Sequence, residues 1–129
     1  MYKYTEQQLI IPHEFFLPFG GNLNPKNSWC QLAAIVPWAT IEKKYAQNFK
    51  QTKGGQAAYS VRIALGALII QNRKVWSDRE TVEQITENPY LQYFLGLTGF
   101  VEEAPFDPSL MVHFRKRLGK DIIKEIVIM

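Results

Sequence analysis

A chain of 129 residues, 47% of them hydrophobic, is one domain's worth and can bury a core without disulfide staples. Fifteen Lys and Arg against twelve Asp and Glu leave a net charge of +3 and a pI near 9.0, which permits contact with nucleic acid without demanding it. Cys30 is the single cysteine, which excludes an intramolecular disulfide and a cysteine metal cluster and makes a cytoplasmic home the default.

Residues 1–20 contain Lys3, Glu6, Pro12, Glu14 and Pro18, not the basic start and unbroken apolar run of a signal peptide. Residues 1–27, interrupted by those prolines and by Gly20, Gly21 and Pro25, carry too many breakers for a long helix. They read as an arm laid across the helical domain formed by residues 28–129. The arm is rich in aromatics (Tyr2, Tyr4, Phe15, Phe16, Phe19), so part of it is expected to dock or to pair with a partner.

Asn27 or Ser28 offers a cap for a short helix through Trp29, Leu32, Ala33 and Val36, which Pro37 ends. In the next helix Trp38, Ile41, Tyr45 and Phe49 recur at spacings of three and four, while Lys43, Lys44 and Lys50 face elsewhere. That pattern is an amphipathic helix with a basic outer side. Lys53-Gly54-Gly55-Gln56 follows as a connector; a phosphate-cradling loop needs a preceding strand and a Gly-Lys-Ser/Thr ending, and has neither here.

The most apolar stretch lies between Tyr59 and Trp76, with Val61, Ile63, Leu65, Leu68, Ile69 and Ile70 among its members. Wound as a helix it is hydrophobic nearly all round, and such a helix belongs in an interior. Arg73 and Lys74 fall in its last turn, where cations face unsatisfied carbonyls. It is too short, and too polar at Arg62 and Gln71, to span a bilayer. Trp29, Trp38 and Trp76 are expected in the core.

Ser77-Asp78-Arg79-Glu80 is a capping residue followed three positions later by glutamate, so a helix starts here, with Val82 and Ile85 inward. Asn88-Pro89 stops it, and Pro89 seeds a further short helix through Tyr90, Leu91, Tyr93, Phe94 and Leu95, with Gly96 after its last turn. Helix, tight break, helix is a helix-turn-helix-like outline, shared with helical hairpins in bundles. After a loop at 97–106, Asp107 is expected to cap and Pro108 to take the first position of another helix, with Phe106 stapled back onto Met111. Leu110, Met111, Phe114 and Leu118 share its inner face and Gly119 ends it. Its other faces carry Ser109, His113, Lys116 and Arg117 together and Arg115 to one side, with no acid between Pro108 and Gly119. Such a surface suits phosphate and base-edge contacts. The rival reading is a solvated face balanced by Glu83, Glu87, Glu102 and Glu103.

The run from Thr81 to Leu97, followed by Pro105-Phe106-Asp107-Pro108-Ser109-Leu110 and by Phe114-Arg115-Lys116-Arg117-Leu118-Gly119, resembles the N-terminal domain of bacterial insertion-sequence transposases of the IS-five-like group. The similarity covers roughly residues 40–125, as several spaced pieces in the same order. In that family the domain precedes a ribonuclease-H-like core whose three carboxylates bind two metal ions and cut DNA. The resemblance therefore implies an intact protein that moves an element by cutting at its terminal inverted repeats.

The chain departs from the family by stopping before that core. Its aspartates are Asp78, Asp107 and Asp121, the first two at helix starts, and a two-metal site needs acids converging from several elements. Asp78, Glu80 and Glu83 as metal ligands are outweighed by an ordinary charged helix face. His13 and His113, a hundred positions apart with one Cys, make neither a zinc site nor a Cys-His nucleophile pair. Residues 121–129 begin another amphipathic helix and end on hydrophobes, as in a gene remnant or a piece cut in mid-element.

The expectation is thus an all-α, compact multi-helix domain with an irregular N-terminal arm, without enzymatic activity or cofactor. It would act in the bacterial cytoplasm, at the nucleoid when bound, and not at a membrane. Its partner is double-stranded DNA at the element ends: Arg115, Lys116 and Arg117 grip phosphates, Ser109 and His113 lie nearest the groove, and Lys43, Lys44, Lys50 and Lys53 form a second phosphate patch. The alternative is an oligomerisation module that pairs two transposase chains as a homodimer through the aromatic arm and apolar tail.

Overall fold

The computed structural model describes residues 11–45 and 60–119. Six α-helices are formed within them: α1 (Ser28–Ile35), α2 (Trp38–Tyr45), α3 (Val61–Lys74), α4 (Asp78–Glu87), α5 (Pro89–Phe94) and α6 (Leu110–Leu118). A single 3-10 turn at Pro12–Glu14 precedes them. The architecture is all-α, as the pattern of elements predicts. Among the described residues the one extended pairing is a lone parallel bridge between Phe16 and Gly99.

α3 is the centre. Ser60 caps it by accepting the N–H of Ile63, and buried side chains from Val61 to Ile70 cover it on nearly every side. α2, α4 and α6 all pack against it, while α1 and α4 pack on α5. α5 meets it where a Cβ placed on Gly66 would come within 2.7 Å of Leu95 Cδ2, so the two backbones approach as closely as they do because position 66 has no side chain. Edge-to-face rings knit the layers together: Trp29 and Trp38 on Phe94, Phe15 on Tyr93, Phe106 on Phe114.

The expected helix boundaries follow from local chemistry. The Ser77 side chain accepts the N–H of Glu80 and starts α4. Asn88 alone separates α4 from α5, and its side chain accepts the N–H of Tyr90 at the proline-led start. Gly96, at φ 89°, turns the chain after α5, with its own N–H on Tyr93 O and the Leu97 N–H on Gln92 O. Asp107 accepts the N–H of Ser109, but α6 opens through a tight turn and becomes α-helical at Leu110, two residues later than expected. The helix–break–helix outline is present, yet Leu91, Gln92, Tyr93 and Phe94 of its second helix are all buried. Of α5 only Pro89 and Tyr90 reach the surface, each half-exposed.

Part of the arm docks. Phe15 and Leu23 are buried, Phe16 exchanges backbone hydrogen bonds with Thr98 and Phe100, and the Asn24 N–H donates to the Tyr90 hydroxyl. Phe16 and Phe19 remain 65% and 70% exposed.

Two charged groups inside were not anticipated. Arg62 is buried in α3, donating Nε to Phe94 O and Nη2 to Tyr93 O, with its guanidinium 4.5 Å from the centre of the Trp38 ring. It thereby satisfies the carbonyls at the end of α5. Burial lowers its pKa to about 10, against the raising influence of Tyr93 and Glu42. Glu42 on α2 is also buried, and neither of its carboxylate oxygens has a hydrogen-bond partner among the described residues. Burial raises its pKa from 4.5 to about 7, with Arg62 pulling the other way.

Candidate nucleic-acid interface

α6 is held by three buried side chains, Met111, Phe114 and Leu118, spaced to fall on one side of the helix and packed towards α3. The opposite side carries Ser109, Val112, His113 and Lys116, all exposed. Ser109 stands at the N-cap position without capping α6; its backbone N–H first and its hydroxyl second hold the Asp107 carboxyl below the usual carboxylate range. Arg117 is half-buried and engaged with neighbouring groups. Outside its core stripe the helix thus offers an apolar side chain, Val112, as well as the expected cations, histidine and hydroxyl. Sequence reasoning passed over it, although a core stripe at 111, 114 and 118 already puts 112 on the outside.

Arg115, expected to grip phosphate, is engaged within the chain and stays 44% exposed. Its Nη1 and Nη2 donate to Asp78 Oδ1 and Oδ2 at 2.9 and 3.0 Å, and Nη1 also reaches Gln71 Oε1 at 3.1 Å. Gln71 Nε2 donates in turn to Asp78 Oδ1 at 2.7 Å. The fork ties the outer end of α6 to the start of α4 and the end of α3. The Arg115 hydrogen bonds come first in holding Asp78 below its ordinary pKa, and the pairing raises that of Arg115. Asp78 therefore does more than head a helix: Ser77 is the cap, and the Asp78 carboxylate is taken by Arg115 and Gln71.

Lys43 and Lys44 are exposed on α2, a separate helix packed on α3, with Lys44 Nζ 5.5 Å from the centre of the Tyr45 ring. Lys50 and Lys53 lie outside the described residues, as do the Gly54-Gly55 connector and the stretch 121–129.

Between α6 and the end of α3 runs a groove of about 790 Å³ walled by Leu68, Val75, Trp76 and Val112, with Lys116 on its rim. Trp76, expected in the core, is half-buried here, and Lys74 Nζ sits 5.9 Å from the centre of its ring. Val75 closes α3 in the left-handed region at φ 57° and is 87% exposed, a costly position for a β-branched residue. No helix among the described residues is long and apolar enough to cross a membrane.

Residues 19–117 match the family described as Transposase domain (DUF772). The chain is also 33% identical over 105 residues to a Rhizobium meliloti protein described as "Uncharacterized protein ORF8 in nfe locus", in an alignment covering 81% of this chain and 50% of that protein. It therefore spans about half the length of the curated relative it matches. No solved structure matches it. With the family match running from the arm through α6, the chain belongs to the transposase-domain family DUF772.

Proposed function

We propose that this chain is the DNA-binding and assembly part of a transposase of the insertion-sequence, IS-five-like group, engaging terminal inverted repeats while strand cleavage is left to residues outside it. The observation that carries the reading is the outer face of α6, where Ser109, His113 and Lys116 stand exposed on a helix without a single acid from Leu110 to Leu118. Phosphate contacts by such cations supply affinity, and polar groups beside them can meet base edges. The cleavage role is assigned elsewhere because Asp78 is occupied by Arg115 and Gln71, and Asp107 by its own turn.

The test is binding of the chain to the element's terminal repeat and to a scrambled duplex across a salt series. Tighter binding to the repeat is expected, and Lys116→Ala should flatten the salt dependence by about one counterion's worth. Equal and salt-insensitive binding to both duplexes would defeat the reading. Incubation with supercoiled plasmid and Mg or Mn should leave it un-nicked.

A second reading, pairing of two transposase chains, is favoured by the exposed Phe16 and Phe19 of the docked arm. Sedimentation of Phe16→Ser/Phe19→Ser against the parent separates the two roles. Deleting residues 1–25 would not do so cleanly, because Phe15 and Leu23 belong to the core. A dimer lost on that substitution supports the assembly role, and an unchanged monomer supports DNA contact alone.

A further inference from the structure

Val112 stands on a polar helix face and is 43% exposed. Ser109 and Lys116 lie one turn away from it on either side, and its other flank meets the groove lined by Leu68, Val75 and Trp76. The cation that could otherwise shield it, Arg115, is drawn off by Asp78 and Gln71. We propose, resting on the DNA-binding reading above, that Val112 is a specificity-determining residue that packs on thymine methyl groups in the major groove of the bound duplex.

The chemistry follows from what a major groove presents. Its width, about 12 Å, admits one α-helix, and an A·T pair differs there from G·C by the thymine methyl, the one apolar group on any base edge. A helix can read such a pair through an aliphatic side chain exposed on its outward side. Hydroxyl, imidazole and ammonium groups must lie around it for the neighbouring donors, acceptors and phosphates. α6 offers such groups, with Ser109 and Lys116 one turn from Val112 on either side and His113 exposed on the same outer half of the helix. The rival use of Val112 is as a wall of the groove it shares with Leu68, Val75 and Trp76. In that case an apolar partner would need Val75 at least as much as Val112, since Val75 is the more exposed.

The experiment selects 20-base-pair duplexes from a random pool on the full chain, then resynthesises the enriched duplex with deoxyuridine at every thymine, which removes the methyl groups alone. The parent chain should bind the uridine duplex about fourfold more weakly, the factor that one buried methyl-sized group is worth. Val112→Ala should bind the thymine duplex about fourfold more weakly and show no further loss with uridine, whereas Val75→Ala should behave as the parent. Circular dichroism of each variant checks that the helices are intact. No enrichment of any duplex would sink the DNA-binding reading and this inference with it. Enrichment with a uridine effect that is absent, or equally large in Val112→Ala, would overturn the role of Val112 while leaving DNA binding in place. A loss in Val75→Ala matching that in Val112→Ala would assign Val112 to the groove instead and overturn the proposal.

Discussion

The guanidinium of Arg115 on α6 lies in a fork against both carboxylate oxygens of Asp78 on α4, at 2.9 and 3.0 Å. Both side chains are partly exposed, 44% and 32%, so water and salt weaken the pair. Removing either partner, as Arg115→Ala or Asp78→Ala, should lower stability by only about 1 kcal/mol, with a coupling of similar size in the double-mutant cycle. Because pairing depresses the Asp78 pKa in the folded chain, its contribution is present above the ordinary carboxylate range and is lost as pH falls through the depressed value. Urea unfolding of the parent and Asp78→Asn should give curves that converge only at strongly acid pH.

The same fork predicts an order of effects on DNA. Lys116→Ala should weaken binding and reduce the salt slope more than Arg115→Ala does, since Arg115 is already engaged inside the chain. Titrations of the two variants at several salt concentrations check this.

Gln92 is fully buried and clamps α5 to what surrounds it. Its Nε2 donates to Ile85 O and Val101 O, and its Oε1 accepts the Val101 N–H at 2.9 Å. Gln92→Leu keeps the volume but strands these backbone groups, and should cost about 2–3 kcal/mol in chemical denaturation.

Val75 offers the opposite sign. Its left-handed conformation suits glycine, and its side chain is almost wholly in water, so little packing is lost on removing it. Val75→Gly should stabilise the chain by about 1 kcal/mol, read as a rise in thermal midpoint.

Glu42 carries a pH signature of its own. Its pKa is raised from 4.5 to about 7 on folding, so the folded chain disfavours the ionised form and loses stability as pH climbs through that window. Glu42→Leu should therefore be more stable than the parent at pH 8, by about 1–3 kcal/mol, with the advantage vanishing below pH 4.5. Thermal melts at pH 4, 6 and 8 measure it.

What was legible in the sequence was local or periodic. Ser77, Asn88-Pro89 and Gly96 act on backbone groups within a few positions, and the apolar run of α3 shows its burial by being hydrophobic on all sides. Lys43, Lys44, Ser109, His113 and Lys116 stand exposed because the core stripes of their helices fall elsewhere. What stayed hidden depends on partners distant along the chain. Nothing near Arg62 in the sequence announces its hydrogen bonds to the end of α5, and nothing near Arg115 announces its fork to Asp78, 37 positions away. Val112 was hidden for another reason: attention to charge on α6 passes over a half-exposed aliphatic side chain at the edge of the groove.

The edge-to-face pairs Phe15–Tyr93 and Trp29–Phe94 join the arm and α1 to α5, more than 60 positions later in the chain. A ribosome delivers the arm and α1 first, so these rings stay wet until α5 has cleared the exit tunnel. Over that interval the nascent chain carries bare aromatic surface that a chaperone can hold, and a ribosome stalled before α5 emerges would release a sticky, unfinished product.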